Sequence, residues 1–273
     1  MTLRVGQIDY ANCTPIFECL KKSFDCSSYQ FIHGVPSYLN SMLAAGEIDV
    51  CPSSSIEFAK NPLEYLLLPD LSISSVGPVK SVLLISRIPI EKLNLHPVGL
   101  TGDSATSVRL LQIILRKFYN YENCFSTLQN STLASLKDFP AILLIGDAAL
   151  KAGISMYQGA YVYDLGELWY KFTGLPFVFA LWMVRVETAV NQRKEVENLH
   201  ARLCYSKKNA GTRFEVIAAN CNEDWMSPDG MMEYWRTISY DLTSQHLEGV
   251  QTFFRYAAEA GFIDHEPAIR FFR

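Results

Sequence analysis

The order strand, polar loop, helix is written twice in this chain, and that repetition constrains the fold more than any other feature. Residues 3–8 read as a strand. The turn-rich loop Tyr10-Ala11-Asn12-Cys13-Thr14-Pro15 follows, and an apolar helix begins at Ile16. Residues 29–32 form a second predicted strand. Pro36 opens a helix that sets Leu39, Met42 and Leu43 on one face, and Gly46 stops it. A third strand over residues 48–51 runs into Pro52-Ser53-Ser54-Ser55, whose hydroxyls stand at the start of a helix over residues 56–60.

The same order returns between residues 97 and 152. Residues 98–101 read as a strand, Gly102-Asp103-Ser104 as a loop, and Val108, Leu111, Leu115 and Phe118 share one helix face. A weaker strand near Phe125, a helix around residues 133–136, and a strand over 141–145 leading into Gly146-Asp147-Ala148 complete the repeat. Strands alternating with helices predict mostly parallel sheets flanked by helices, and ligands of such sheets bind beyond the carboxyl ends of the strands. All the polar loops named so far sit at such ends.

Two further strand-like runs decide how the halves join. Residues 81–86 leave the first half and residues 175–185 follow the second, so they read as paired hinge strands. The helical patterns at 188–203 and 230–260 then pack on the first half. The result is an α/β clamshell with two crossings, which resembles the type II periplasmic-binding-protein fold. Lobe 1 is expected over residues 1–86 and 180–273, lobe 2 over 87–179, with a ligand cleft between them.

Composition narrows what the cleft can hold. With 24 Lys+Arg against 28 Asp+Glu the chain carries a net charge of −4, which leaves no basic footprint for nucleic acid or an anionic membrane. The longest apolar run, residues 175–184, contains Pro176 and is about half the roughly 20 residues a membrane span needs. The N-terminus places Gly6, Gln7 and Asp9 where a signal peptide needs an unbroken apolar core, so a cytoplasmic protein is expected. Seven cysteines without a Cys-x-x-Cys pair or a nearby His at ligand spacing read as reduced thiols rather than a metal site. No nucleotide-binding or helix-borne zinc motif occurs, so neither metal nor cofactor is expected. A small-molecule ligand remains.

Ser104-Ala105-Thr106-Ser107 stands at a helix start, where unpaired N–H groups, the helix dipole and two hydroxyls suit a carboxylate or phosphate. Ordinary capping by Ser104 is the plainer explanation of that segment alone. Ser53-Ser54-Ser55, Gly146-Asp147 and Asn12-Cys13-Thr14 repeat the pattern at other strand ends, and several donor-rich loops together point to a ligand. Gly102-Asp103-Ser104 resembles a hydrolase elbow only in its first three residues, and no His follows in a partner segment. Of the five histidines only His33 lies near a candidate cleft loop. Trp169, Phe172, Phe177, Phe179 and Trp182 crowd the return segment, either as core or as a wall for a ring-shaped ligand.

Leu68-Pro69-Asp70-Leu71-Ser72-Ile73-Ser74-Ser75, Gly77-Pro78-Val79 and Ser81-Val82-Leu83-Leu84 resemble the menaquinone-route chorismate dehydratase family. The resemblance extends to Tyr10-Ala11-Asn12 with Pro15, Gly34-Val35-Pro36 with Leu39-Asn40, and Gly46-Glu47-Ile48-Asp49-Val50 before Ser54-Ser55. It continues in Ser104 with Thr106-Ser107-Val108, Ile145-Gly146-Asp147-Ala148-Ala149-Leu150, and Thr173-Gly174-Leu175-Pro176-Phe177-Val178. It runs from about residue 4 to 185, and Ala11 stands where a larger apolar residue is the norm.

The resemblance implies a cytoplasmic lyase of the futalosine route that converts chorismate to 3-[(1-carboxyvinyl)oxy]benzoate and water without cofactor or metal. It also points to Asn12 and Ser81 as the catalytic pair, with Tyr10, Ser54, Ser55, Ser75, Ser104, Thr106, Ser107, Gly146 and Asp147 around the substrate. Two other readings stand beside it: a non-catalytic small-anion-binding protein, and a 1,4-dihydroxy-6-naphthoate synthase of the same route. The latter is expected to carry a His near the cleft end of a second-lobe strand, where this chain has Gly146-Asp147.

Overall fold

The computed structural model describes residues 2–154, 159–221 and 224–273. Strands β1 (Leu3–Ile8), β2 (Tyr29–Gly34), β3 (Val50–Ser54) and β4 (Tyr65–Ser75) alternate with helices α1 (Thr14–Ser23), α2 (Pro36–Ala45) and α3 (Ser55–Lys60). The residues that start and stop these helices do so for local reasons. Pro15 and Pro36 occupy first-turn positions where no N–H is needed, and Gly46 ends α2 at a φ of 76°, left-handed backbone that a side chain resists.

The chain then crosses over and builds β5 (Val82–Ser86), β6 (Val98–Thr101), α4 (Ala105–Ile113) with a π-helical turn over Ile114–Phe118, β7 (Phe125–Leu128) and β8 (Ala141–Ile145). α5 (Gly146–Ile154), β9 (Tyr161–Asp164) and α6 (Leu165–Thr173) follow, and β10 (Phe177–Arg185) crosses back. The Asp164 carboxylate caps α6 by accepting from the N–H groups of Gly166 and Glu167.

Two five-stranded sheets result, in the orders β2-β1-β3-β10-β4 and β7-β6-β8-β5-β9. They have the same plan. Four strands of each sheet run one way and one runs against them, namely β10 in the first sheet and β5 in the second. Each reversed strand is the one that arrives from the other half of the molecule. The mostly parallel sheets of the sequence reading are therefore present, but the expected pairing of the two crossing segments is not. β5 pairs with β8 and β9, β10 pairs with β3 and β4, and each crossing strand is buried inside the sheet it enters.

The last third is helical: α7 (Val186–Asn191), α8 (Arg193–Ala210), α9 (Phe214–Ala219), α10 (Pro228–Trp235) and α11 (Ser244–Glu259). α8 packs on α1 and β4, as a cover for the first sheet. α11 departs from the expected packing, because it touches both halves. Phe254 stacks on Phe58 of α3, while Phe253 meets Trp169 edge-on and Tyr256 meets Phe118. One core runs through both sheets and these helices, with Trp169, Trp182 and Trp235 among its largest buried side chains. Among the described residues no helix is long and apolar enough to cross a membrane, and Cys13, Cys19, Cys26, Cys51, Cys124 and Cys204 are free thiols.

Candidate active site

β1, β3, β6 and β8 all end at the line where the two halves meet. A small cavity opens there, lined by Tyr10 and Asn12 after β1, Ser54 at the end of β3, Ser104 and Ser107 at the start of α4, and Ile145-Gly146 at the end of β8. The crossover contributes Val79, Ser81 and Val82, and the return strand contributes Phe179 and Ala180. Among the described residues no cationic or anionic side chain lines it. An anion placed here would meet only neutral donors: hydroxyls, an amide, and helix starts whose dipoles favour negative charge.

Each polar group is held by its neighbours. In α2 the buried Asn40 side-chain oxygen accepts from Ser53 Oγ at 2.5 Å and from the Ser54 N–H at 3.2 Å, fixing the turn that presents Ser54. Ser104 Oγ accepts from the Ser107 N–H at 3.2 Å and donates to Ser107 Oγ at 3.0 Å. Ser81 Oγ accepts from the Tyr234 hydroxyl at 2.9 Å and lies a long 3.4 Å from the Val79 carbonyl. Asn12 Oδ1 is buried with no hydrogen-bond partner, while the Asn12 backbone carbonyl accepts from the Tyr240 hydroxyl at 2.7 Å. A buried amide oxygen with no donor in reach is costly.

Seven of the eleven site residues read from the sequence thus converge on the cavity: Tyr10, Asn12, Ser54, Ser81, Ser104, Ser107 and Gly146. The other four surround it without lining it. Thr106, expected to hold a ligand anion, is wholly buried, and its Oγ1 accepts from the Ile56 N–H at 3.1 Å and lies 3.3 Å from Ser55 Oγ. Thr106 and Ser55 therefore latch the two halves together, since the hydroxyl of Thr106 faces α3 rather than the cavity. Asp147 latches likewise, accepting from the Ala11 N–H at 3.2 Å. Ser75 donates to the Gly77 carbonyl at 2.9 Å and shapes the crossover turn.

Two more contacts close the seam. The Ser37 N–H donates to the Asp103 carbonyl at 3.1 Å, and the Tyr10 ring lies so close on Gly146 that a Cβ there would meet three ring atoms at 2.9 Å. Gly146 also has a φ of 56°, so this position demands glycine twice over. Burial, with the nearby Asp103 and Asp147 carboxylates, pushes the Tyr10 phenol well above its ordinary pKa, and the ring stays neutral.

His33 is not in the cavity. Its Nδ1 pairs with Asp9 at 2.7 Å in an adjoining groove. Of the aromatic residues in the return segment only Phe179 reaches the ligand space; Trp169 and Phe177 pack with Phe253, and Trp182 packs with Phe17. Sequence reasoning missed Tyr234 and Tyr240, whose only signal was their place in an amphipathic helical stretch and the segment after it. Among the described residues no three His, Cys, Asp or Glu side chains are grouped to hold a metal.

A family model described as menaquinone biosynthesis matches residues 3–259. A chorismate dehydratase from Thermus thermophilus is 30% identical over 91% of this chain and 93% of its own length, and one from Campylobacter jejuni is 31% identical over 64% of each. Among solved structures, the periplasmic aliphatic sulphonate binding protein of Escherichia coli superposes with a TM-score of 0.68 at 14% identity, covering 97% of this chain and 89% of that one. A protein from Archaeoglobus fulgidus superposes with a TM-score of 0.69 at 16% identity, covering 96% and 98%. These two establish the two-lobed binding-protein fold, and the matches over nearly the whole sequence establish the lineage: the chain belongs to the menaquinone-biosynthesis family.

Proposed function

We propose that this protein is a chorismate dehydratase, converting chorismate to 3-[(1-carboxyvinyl)oxy]benzoate and water in the cytoplasm, as a step of menaquinone synthesis by the futalosine route. The observation that carries the reading is an uncharged, donor-lined cavity containing Asn12 and Ser81, in a chain 30% identical to a chorismate dehydratase along 91% of its length. Chorismate is a small ring with two carboxylates, and such a dianion fits several neutral donors and helix N-termini set against the apolar walls of Ile73, Val82 and Phe179.

In the mechanism we infer, the substrate supplies its own base. Asn12 donates its amide N–H to the enolpyruvyl carboxylate and holds it beside the proton on ring carbon 3, and Ser104 and Ser107 hold the ring carboxylate. The enolpyruvyl carboxylate takes the proton, the C–H electron pair enters the ring, and the bond from ring carbon 4 to its oxygen breaks. Ser81 hydrogen-bonds that departing oxygen, which takes the proton and leaves as water, so the carboxylate is regenerated and the ring is aromatic. The protein positions and excludes water; it needs no side chain with a shifted pKa. We place the lobe division at the crossovers 76–81 and 174–176 rather than after residues 86 and 179, because β5 pairs within the second sheet and β10 within the first, and closing the lobes surrounds the substrate.

A purely ligand-binding role is the alternative that the sulphonate-binding neighbour suggests, and it predicts retention of chorismate unchanged. The naphthoate synthase reading finds no histidine on the cavity wall among the described residues, where Gly146 follows the second-lobe strand β8. Purified protein incubated with chorismate, with products followed by mass, separates these: a species lighter by one water supports the dehydratase, and chorismate recovered intact rejects it.

A further inference from the structure

The two candidate catalytic residues lie far apart in the sequence, Asn12 on the loop after β1 and Ser81 at the end of the first crossover, yet both are held from one place. Tyr234 and Trp235 end α10, and Tyr240 follows in the short segment before α11. The Tyr234 hydroxyl donates to Ser81 Oγ at 2.9 Å, the Trp235 indole N–H to the Ala11 carbonyl at 2.8 Å, and the Tyr240 hydroxyl to the Asn12 carbonyl at 2.7 Å. All three side chains are buried. The segment is itself pinned to the free edge of β4: Ser74 and Ser239 exchange N–H···O bonds at 2.8 Å in both directions, and the Ser72 N–H donates to the Tyr240 carbonyl at 3.0 Å.

We propose that Tyr234 and Tyr240 are positioning residues of the active site, acting through Ser81 and the Asn12 peptide respectively. The inference rests on the reading that Asn12 and Ser81 act on the substrate. The chemistry at Ser81 is specific. A serine hydroxyl has one proton and two lone pairs, and the Tyr234 proton occupies one lone pair. The acceptor within the protein, the Val79 carbonyl, is 3.4 Å away, too far for a good O–H···O bond. Ser81's own proton is therefore free to turn into the cavity toward the departing oxygen, and its donation is strengthened because Ser81 is itself accepting. Burial pushes the Tyr234 phenol well above its ordinary pKa, so it remains a donor at any pH the protein meets. At Asn12 the logic is geometric. Tyr240 and Trp235 anchor two consecutive carbonyls, which fixes the peptide from which the Asn12 side chain projects beside the cavity.

The test uses variants that delete only a hydroxyl, Tyr234→Phe and Tyr240→Phe, with chorismate kinetics on the full chain. Each is expected to lower kcat by about 10- to 100-fold while KM stays within about threefold, the pattern of an interaction that matters in the transition state. The decisive readout is the double variant. In a Ser81→Ala background Tyr234→Phe is expected to change kcat by less than about twofold, because its route of action is gone, and Tyr240→Phe is expected to do the same in an Asn12→Ala background. The proposal is overturned if either tyrosine variant keeps near wild-type kcat, or if its fold-loss is the same in both backgrounds, as a merely structural role would give. A wild-type protein inactive on chorismate overturns the functional reading as well, whereas an active wild type with unaffected tyrosine variants overturns the positioning role alone.

Discussion

Asn12 combines an unpartnered buried oxygen with a side chain that cannot titrate, and that combination makes its charge the variable to change. Asn12→Asp places a fixed negative charge against the substrate carboxylate in a desolvated cleft, so it is expected to be slower than Asn12→Ala, which only removes the orienting amide. Ser81→Ala is expected to lower turnover by about 10- to 1000-fold, the range one orienting donor supplies. Steady-state kinetics on folded variants measures both, and near wild-type rates in Asn12→Asp and Ser81→Ala remove the pair from the mechanism. The pH profile tests the substrate-as-base step. The phenols of Tyr10, Tyr234 and Tyr240 and the thiol of Cys13 are all pushed up by burial, so each is neutral and stays neutral as pH rises through the range from 6 to 9. A flat kcat across that range, measured by stopped assays, is the expected outcome; a limb within it would reveal a titrating protein group.

At the scale of single elements, the Thr106 hydroxyl on α4 is the clearest instance of a polar group assigned to the ligand that serves the fold. It caps the seam by accepting from the Ile56 N–H, so Thr106→Val leaves that donor unsatisfied whenever the lobes are closed. The variant is expected to weaken product binding by roughly 5- to 150-fold by disfavouring closure, and to enlarge the free protein in solution scattering. If affinity and dimensions both match wild type, the latch is not what Thr106 provides. The donor-rich loops were legible in the sequence because serine, threonine and asparagine at strand ends have a local meaning. Which of these residues faces the cavity was not, since neighbours such as Ser54 and Ser55, or Thr106 and Ser107, differ by one step around a helix start. β4 was hidden for a local reason: Pro69 and Asp70, the latter at a φ of 61°, interrupt the strand between Leu68 and Leu71 and break its pattern. Tyr234 and Tyr240 were invisible for a global one, because contacts across more than 150 residues leave no periodicity to read. The reversed strands β5 and β10 were recognised as crossings, but their insertion into the sheet interiors depends on pairing partners far along the chain.

For the molecule as a whole, the repeated plan of the two sheets explains why one cavity gathers donors from both: equivalent strands end at the same seam. With α11 strapped across both halves and the latches at Thr106, Asp147 and Ser37, closure is the state the ligand should select. Adding saturating 3-[(1-carboxyvinyl)oxy]benzoate is expected to reduce the radius of gyration in small-angle scattering, and an identical radius with and without it would argue for lobes that do not move. The central claim concerns chemistry, and it is tested by turnover. Purified protein, free of added metal or cofactor, is incubated with chorismate and the mixture is followed by mass and by the ultraviolet signature of an aromatic ring. The account predicts multiple turnovers to 3-[(1-carboxyvinyl)oxy]benzoate, abolished or slowed in Asn12→Asp. Chorismate that is bound but never dehydrated would contradict it and leave a binding protein in its place.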